Sequence, residues 1–208
     1  MIRYLNASDL SRHQGLADTM FRDRATQFRD RLGWPVSVDE RGHERDQYDD
    51  LNPLYAIWRL PDGTHGASLR LLPTTGRTMV REVFADVADV SHIVSPRVWE
   101  ATRFCTSPRA GTKAGPALLM GLAEMVRHQD LDAFVGVFSS AMLKVYKRLR
   151  VSPQVLGMSR DGEIGVGLWS DAPAISATLG KRLGIEPSFF APALERDMGR
   201  RVGANVPA

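Results

Sequence analysis

The run Ala133-Phe134-Val135-Gly136-Val137-Phe138 constrains the fold most, because its residues carry no charge and no polar side chain and it is too short to be a helix of its own. A strand of that type has no face for water, so it predicts a sheet covered on both sides. Helical periods flank it. Ala114 to Gln129 carries Leu118, Leu122, Met125 and Val126 on one face behind Gly115-Pro116, and a helix is predicted from about Ser140 to Leu149. Strands follow near Gln154 to Met158 and Ile164 to Trp169 around Arg160-Asp161-Gly162. A last helix, Ala174 to Leu183, ends at Gly184 as a cap.

Upstream, Leu10, Gln14, Ala17, Met20, Phe21, Ala25, Phe28 and Leu32 recur every three or four residues after Ser8 and Asp9, which predicts an amphipathic N-terminal helix. The polar stretch from Asp39 to Asn52 reads as a loop. Leu54 to Leu60 and Ala67 to Leu72 flank Pro61-Asp62-Gly63 as a hairpin, and Val98 to Thr106 reads as a further strand. This order predicts an α/β (α+β) fold, a mixed central sheet flanked by helices, in a single domain over residues 1–208.

A chain of 208 residues with 43% hydrophobic residues can bury a core within one domain. Met1 to Asn6 lacks the apolar stretch of a signal peptide and no later run is long enough to cross a bilayer, so a cytoplasmic protein without a membrane span is expected. Cys105 is the single cysteine, which excludes an internal disulfide and cannot by itself make a zinc site. The net charge of +3 is spread along the chain and does not call for nucleic acid. Residues 43–50 lack the glycine and distal glutamate of a calcium loop, so no metal is expected.

Several spaced residues together carry a resemblance. Arg24-x3-Phe28-x5-Trp34, then Glu44-Arg45-Asp46-Gln47-Tyr48-Asp49, Arg70-Leu71-Leu72-Pro73-Thr74, Phe84 and Trp99-Glu100-x-x-Arg103-Phe104 stand in the order found in the LuxI family of autoinducer synthases, which the chain resembles from about Arg24 to Phe104, continuing toward Leu149. The resemblance implies a fold like that of the GNAT acetyltransferases. It also implies a reaction in which S-adenosylmethionine and an acyl thioester are substrates, with no cofactor besides. Each element alone has a plainer reading, namely a strand ion pair, core aromatics or a solvated acidic loop; their joint spacing outweighs it.

The residue types suit that chemistry. S-adenosylmethionine needs carboxylates for its cations, a guanidinium for its carboxylate and aromatic faces for its adenine or sulfonium. Arg24, Phe28, Trp34, Asp46, Asp49, Arg70 and Arg103 supply these, and the resemblance implies that they meet in one cleft. An α-amine with a pKa of about 7.7–8.0 is largely protonated near neutrality and needs a base. Glu100 is assigned that role, directly or through a water, with Arg103 beside it as the second catalytic candidate. Alternation along a regular strand would send Glu100 and Arg103 to opposite faces. Either a bulge near Ala101-Thr102 redirects one of them, or Arg103 braces Asp46 or Asp49.

On the acyl side, Met79, Phe84, Phe104, Phe138, Ser139, Ser140 and Met142 are the candidates for the chain pocket, with Met120 and Leu143 as further contributors. The resemblance, with no clear threonine near Phe138-Ser139-Ser140, implies an acyl chain without a 3-oxo group. Arg109 to Gly115 stands where a loop could contact the pantetheine arm. Lys144, Lys147, Arg148 and Arg150 would dock an acidic acyl carrier protein, or the donor would be acyl-CoA. The competing functions are a GNAT-type N-acyltransferase that uses acyl-CoA and a different amine, and a catalytically silent binding module on the same scaffold.

Overall fold

The computed structural model describes residues 1–199. In chain order the strands are β1 (Ile2–Asn6), β2 (Leu54–Arg59), β3 (His65–Pro73), β4 (Val98–Thr106), β5 (Ala133–Ser139), β6 (Gln154–Met158) and β7 (Ile164–Trp169). The α-helices are α1 (Gln14–Ala25), α2 (Met79–Glu82), α3 (Ala114–His128), α4 (Ser140–Leu149), α5 (Ala172–Leu183) and α6 (Ala191–Met198). The chain groups into two compact units, Met1–Leu71 with Arg103–Leu119, and Leu72–Thr102 with the described residues from Met120 onward.

In the first unit β1, β2 and most of β3 form an antiparallel meander, with Ile2 opposite Trp58 and Leu54 opposite Leu71. Gly63 at φ 87° closes the β2–β3 hairpin, where Asp62 accepts the Thr64 N–H at 2.9 Å. Strand β1 is absent from the sequence reading. Its residues do not alternate, since Tyr4 and Leu5 are both buried, and it is held by burial of Ile2 and Tyr4. The expected N-terminal helix divides into a 3-10 turn at Ala7–His13, then α1, then a π turn at Thr26–Arg31. Leu10, Leu16, Met20 and Phe21 from this stretch pack with Leu5, Tyr55 and Ile57 as the unit's core.

In the second unit the strand order is β4-β5-β7-β6, with β4 parallel to β5 and the other pairs antiparallel, so the sheet is mixed as expected. Only Val98–Thr102 of β4 belongs here. Val135 and Val166 pack with Val80, Ala88 and Val90, and Phe84 packs against that cluster. Helix α4 starts where the Ser139 hydroxyl accepts the Met142 N–H at 3.3 Å. Helix α5 is capped by Asp171, which accepts the Ala174 N–H at 3.0 Å, and it stops at Gly184 in the left-handed region at φ 67°. The sequence reading contains neither α2, at four residues too short to show a period, nor α6. Among the described residues no helix is long and apolar enough to cross a membrane.

One glycine is fixed by close approach. A Cβ on Gly157 of β6 would lie 2.1 Å from the Val87 carbonyl oxygen and 2.9 Å from the Ala88 Cβ. Backbone cannot rotate away as a side chain would. Gly157→Ala is expected to lower the unfolding free energy by about 1–3 kcal/mol, read by urea denaturation; an unchanged midpoint would show that this contact yields freely.

Candidate active site

The turn after α1 sets the first feature. The Leu32 N–H reaches the Gln27 carbonyl at 3.1 Å, and Gly33 at φ 66° turns the chain so that the Trp34 N–H donates to the Phe28 carbonyl at 2.8 Å. That return lays Trp34 on Phe28, with centroids 5.2 Å apart and planes 8° from parallel. Phe28 is buried, whereas Trp34 is 38% exposed, so the pair forms an aromatic shelf whose outer ring faces water.

Next to Phe28 lies an ionic network within the first unit. Arg24, 1% exposed on α1, donates from Nε to Glu44 Oε2 at 2.6 Å and from Nη1 and Nη2 to Asp49 at 3.0 and 2.9 Å. Arg70 on β3 binds Asp46 with both terminal nitrogens and stands 3.1 Å from Asp49. Arg103 on β4 bridges Glu44 Oε1 at 3.0 Å and Asp46 Oδ2 at 2.6 Å, and its Cζ lies 5.4 Å from the Phe28 ring centre. Three guanidiniums therefore meet three carboxylates and the formal charges cancel, the condition under which such groups can be buried together.

The polar loop folds to serve this network. Asp49 N–H donates to the Asp46 carbonyl at 3.0 Å, Asp46 N–H to Asp49 Oδ2 at 2.9 Å, and Tyr48 N–H to Asp46 Oδ1 at 2.9 Å. The Tyr55 hydroxyl donates to Asp49 Oδ1 at 2.6 Å. Burial by itself pushes the Asp49 carboxyl pKa up, but Arg24 and then Arg70, with the Tyr55 hydrogen bond, hold it well below the usual carboxylate range. The Asp46 carboxyl is likewise lowered, its burial outweighed by Arg70 and then Arg103.

The network members differ in reach. The side chains of Arg70 and Asp49 are 0% exposed and that of Arg24 is 1%, so these three face one another, while Asp46 at 14% and Arg103 at 10% retain access to solvent. Glu44, wholly buried, is the member the sequence reading left out of the site. Charge balance was the available signal, since three arginines with two aspartates leave one positive charge unmatched.

Strand β4 answers the alternation problem. Arg103 has φ 54°, in the left-handed region where a long side chain is strained by about 1–3 kcal/mol. Burial falls on Glu100 and Thr102, then on Cys105, so the inward phase slips by one residue around Arg103. The irregularity thus sits at Arg103, directly after Ala101-Thr102, and Arg103 also braces Asp46. Its position is not visible in sequence, because the ion pairs to Glu44 and Asp46 hold the strained backbone.

In the second unit Glu100 is wholly buried, and its carboxylate accepts the N–H groups of Met79 at 3.1 Å and Val80 at 2.6 Å, the first turn of α2. Among the acyl-side candidates, Met79 and Phe84 are partly buried near this turn, and Phe138 is buried edge-on to Trp169 at 6.3 Å. Ser139 serves as the α4 cap, and Ser140 donates from its hydroxyl to Glu163 at 3.1 Å and from its N–H to the Glu163 carbonyl at 2.8 Å, so both belong to the β5–α4 turn. Met142 is partly buried on α4, while Lys144, Lys147, Arg148 and Arg150 are exposed on that helix or at its C-terminal cap. Phe104, in the first unit, packs beneath Gly115, where a Cβ would approach its ring to 3.2 Å. Arg109 turns toward α1, 3.4 Å from Asp23. Burial raises the Cys105 thiol to about 12, which leaves it a packed residue. Among the described residues no group of three or more His, Cys, Asp or Glu side chains could hold a metal ion.

Residues 7–162 match the family model for autoinducer synthases. The chain is 42% identical over 178 residues to an acyl-homoserine-lactone synthase of Rhizobium etli, covering 81% of this chain and 84% of the relative. In fold it is similar to BjaI, a CoA-dependent acyl-homoserine lactone synthase solved with SAM and isopentyl-CoA, with a TM-score of 0.77, 21% identity and coverage of 89% and 90%. The likeness extends, at a TM-score of 0.52 and 21% identity over 81% and 94%, to a putative N-acetyltransferase from Lactobacillus plantarum, as a GNAT-like sheet requires. The chain therefore belongs to the autoinducer synthase family and is an acyltransferase of the acyl-homoserine-lactone synthase type.

Proposed function

We propose that the enzyme joins the α-amine of S-adenosylmethionine to an acyl group delivered as a thioester, and then closes the lactone with loss of 5′-methylthioadenosine to give a quorum-sensing signal. The observation that carries this reading is the solvent-reaching end of the ionic network: the Asp46 carboxylate and the Arg103 guanidinium, 2.6 Å apart, beside the Phe28–Trp34 shelf. A carboxylate suits the ammonium, a guanidinium the carboxylate, and an exposed indole face the adenine or sulfonium. Arg24, Arg70, Asp49 and Glu44 hold that pair in place from behind. BjaI, a relative in fold, was solved with SAM and isopentyl-CoA, which fits the same substrate pair.

Glu100 is assigned as the base. It takes one proton from the ammonium and passes it to solvent, the amine nitrogen attacks the thioester carbonyl, the amide C–N bond forms, and as the C–S bond breaks the second proton leaves the nitrogen for the departing thiolate, which is released as the thiol. In lactone closure the methionine carboxylate oxygen attacks its own γ-carbon and the C–S bond to the sulfonium breaks, leaving neutral 5′-methylthioadenosine. No further reactant is needed. The exposed cations of α4 would receive an acidic acyl carrier protein, with acyl-CoA as the alternative donor.

A second reading of Glu100 rests on a specific observation: both of its oxygens accept backbone N–H groups of α2. On that reading it anchors Met79 and the helix start and takes no proton.

Mass spectrometry of organic extracts from cells expressing the chain, scanned for the shared homoserine-lactone fragment ion, tests the reaction. An acyl-homoserine-lactone series is expected. Its absence, with soluble enzyme and varied acyl donors present, would point to a GNAT-type N-acyltransferase with a different amine or to a silent binding module.

A further inference from the structure

Outside the ionic network the first unit holds a second buried polar cluster, built on the first residue of β3. The His65 ring is 0% exposed, with Nδ1 2.7 Å from Asp23 Oδ2 on α1 and Nε2 2.9 Å from the Ser68 hydroxyl of β3. Its backbone N–H donates to the Thr19 hydroxyl of α1 at 3.1 Å. Ser68 is 1% exposed and closed to any substrate, so the constellation is not that of a serine hydrolase. We infer that Asp23, His65 and Ser68 form a proton-sensitive clasp that holds α1 against β3, with His65 a positioning residue for the ionic network.

The hydrogen bonds select the neutral ring. The Asp23 carboxylate can only accept, so Nδ1 carries the proton and Nε2 accepts from the Ser68 O–H. A second proton, on Nε2, reverses that bond and takes from the Ser68 hydroxyl the acceptor it has here, in a place closed to water. The charges around the ring are Asp23 and Arg24 of α1, Arg109 after β4, which stands 3.4 Å from the same Asp23 oxygen, and Arg59 of β2, opposite His65 in register. Cys105 of β4, also in the field of Asp23, stays a neutral thiol. Burial, with Arg109 and Arg24, outweighs Asp23 and holds the His65 pKa below its ordinary value. The unfolded chain therefore takes up a proton that the folded chain refuses, so the clasp contributes fully above the ordinary histidine pKa of about 6.5 and its contribution is lost as pH falls below it.

The clasp and the ionic network stand on the same two elements. Asp23 directly precedes Arg24 on α1, and Ser68 lies two residues before Arg70 on β3, on the same face of the strand. Loosening α1 from β3 therefore separates Arg24 from Arg70, the two arginines that hold Asp49. Asp49 in turn accepts the Asp46 N–H and so fixes the carboxylate that reaches solvent. The consequence for S-adenosylmethionine rests on the function proposed above, whereas the clasp itself does not.

Urea denaturation as a function of pH compares the full native chain with His65→Asn, whose amide N–H can replace Nδ1 toward Asp23 but does not titrate. The ratio of their unfolding equilibrium constants is expected to change by up to about tenfold per pH unit below about pH 6.5 and to be flat above it. A ratio independent of pH would overturn the clasp. So would a doubly protonated His65 ring at about pH 6 in the ¹⁵N spectrum of the native chain, a measurement that needs no variant to fold. Calorimetric binding of S-adenosylmethionine is expected to weaken by about tenfold in His65→Leu, to be restored in His65→Asn, and to weaken below about pH 6 in the native chain but not in His65→Asn. Equal affinity in all three chains at every pH would overturn the positioning role. A native chain that binds no S-adenosylmethionine would sink the functional reading and the positioning role with it, while the pH dependence of the unfolding ratio still decides the clasp.

Discussion

Asp49→Ala is expected to be the most destabilising single change in the ionic network, lowering the unfolding free energy by about 3–5 kcal/mol because it leaves a buried guanidinium without its partner. Asp49 accepts from both terminal nitrogens of Arg24, from Tyr55 and from the Asp46 N–H, and it stands 3.1 Å from Arg70. Arg24 cannot respond by giving up its proton, since a guanidinium stays charged in a protein even when it is buried. For a chain of this size the loss corresponds to a fall in Tm of about 6–20 °C.

The pH dependence has a definite sign. The folded Asp49 and Asp46 carboxyls titrate below their ordinary value, so their contribution is complete above about pH 4 and is lost as pH falls through the lower folded values. The stability gap between the native chain and Asp49→Ala should be widest near neutrality and narrow below about pH 4. A gap under about 1 kcal/mol at pH 7 by urea denaturation would show that Glu44 and Asp46 suffice to compensate the arginines. Trp34→Ala is the contrast, because its exposed ring contributes little to the core.

Glu100→Gln is expected to lower kcat by about 10²–10⁴-fold, with the KM for S-adenosylmethionine changed little, if Glu100 is the base. The substitution preserves shape and removes the charge. It also presents an amide NH₂ to backbone donors at Met79 or Val80, so the anchoring reading makes its own forecast: a lower Tm and a higher KM for the acyl donor, with kcat largely kept. The pH profile separates the two further. Loss of the base removes the acidic limb of kcat, whereas a loosened α2 leaves the limb in place. An unchanged kcat with an unchanged profile would remove Glu100 from proton transfer.

Much of the architecture was legible in the sequence because it depends on short-range pattern. The Leu54–Arg59 and His65–Pro73 strands, the apolar β5 strand with α4 directly after it, and the Gly184 cap all follow from alternation, length and backbone freedom. Strand β1 escaped because adjacent Tyr4 and Leu5 are both buried and break the alternation, and helix α2 because four residues are too few to show a period. The N-terminal helix was read in the right place but as one piece. Its division into 3-10, α and π segments leaves Leu10, Phe21 and Phe28 buried in all three, so the apolar spacing does not tell the segments apart.

The candidate site divides in the same way. The sequence by itself determined which residue types stand at Arg24, Phe28, Trp34, Asp46, Asp49, Arg70, Glu100 and Arg103, and with them the family. The tertiary structure alone decided how those residues divide their work. Distance and burial separate Arg24, Arg70 and Asp49, which face inward, from Asp46 and Arg103, which reach solvent. Glu44 joins them because a buried cluster must balance its charge, and the turn of β4 sits at Arg103 because ion pairs hold a backbone conformation that its own side chain disfavours. Burial and strain are properties of groups brought together from distant parts of the chain, so no local pattern in the sequence records them.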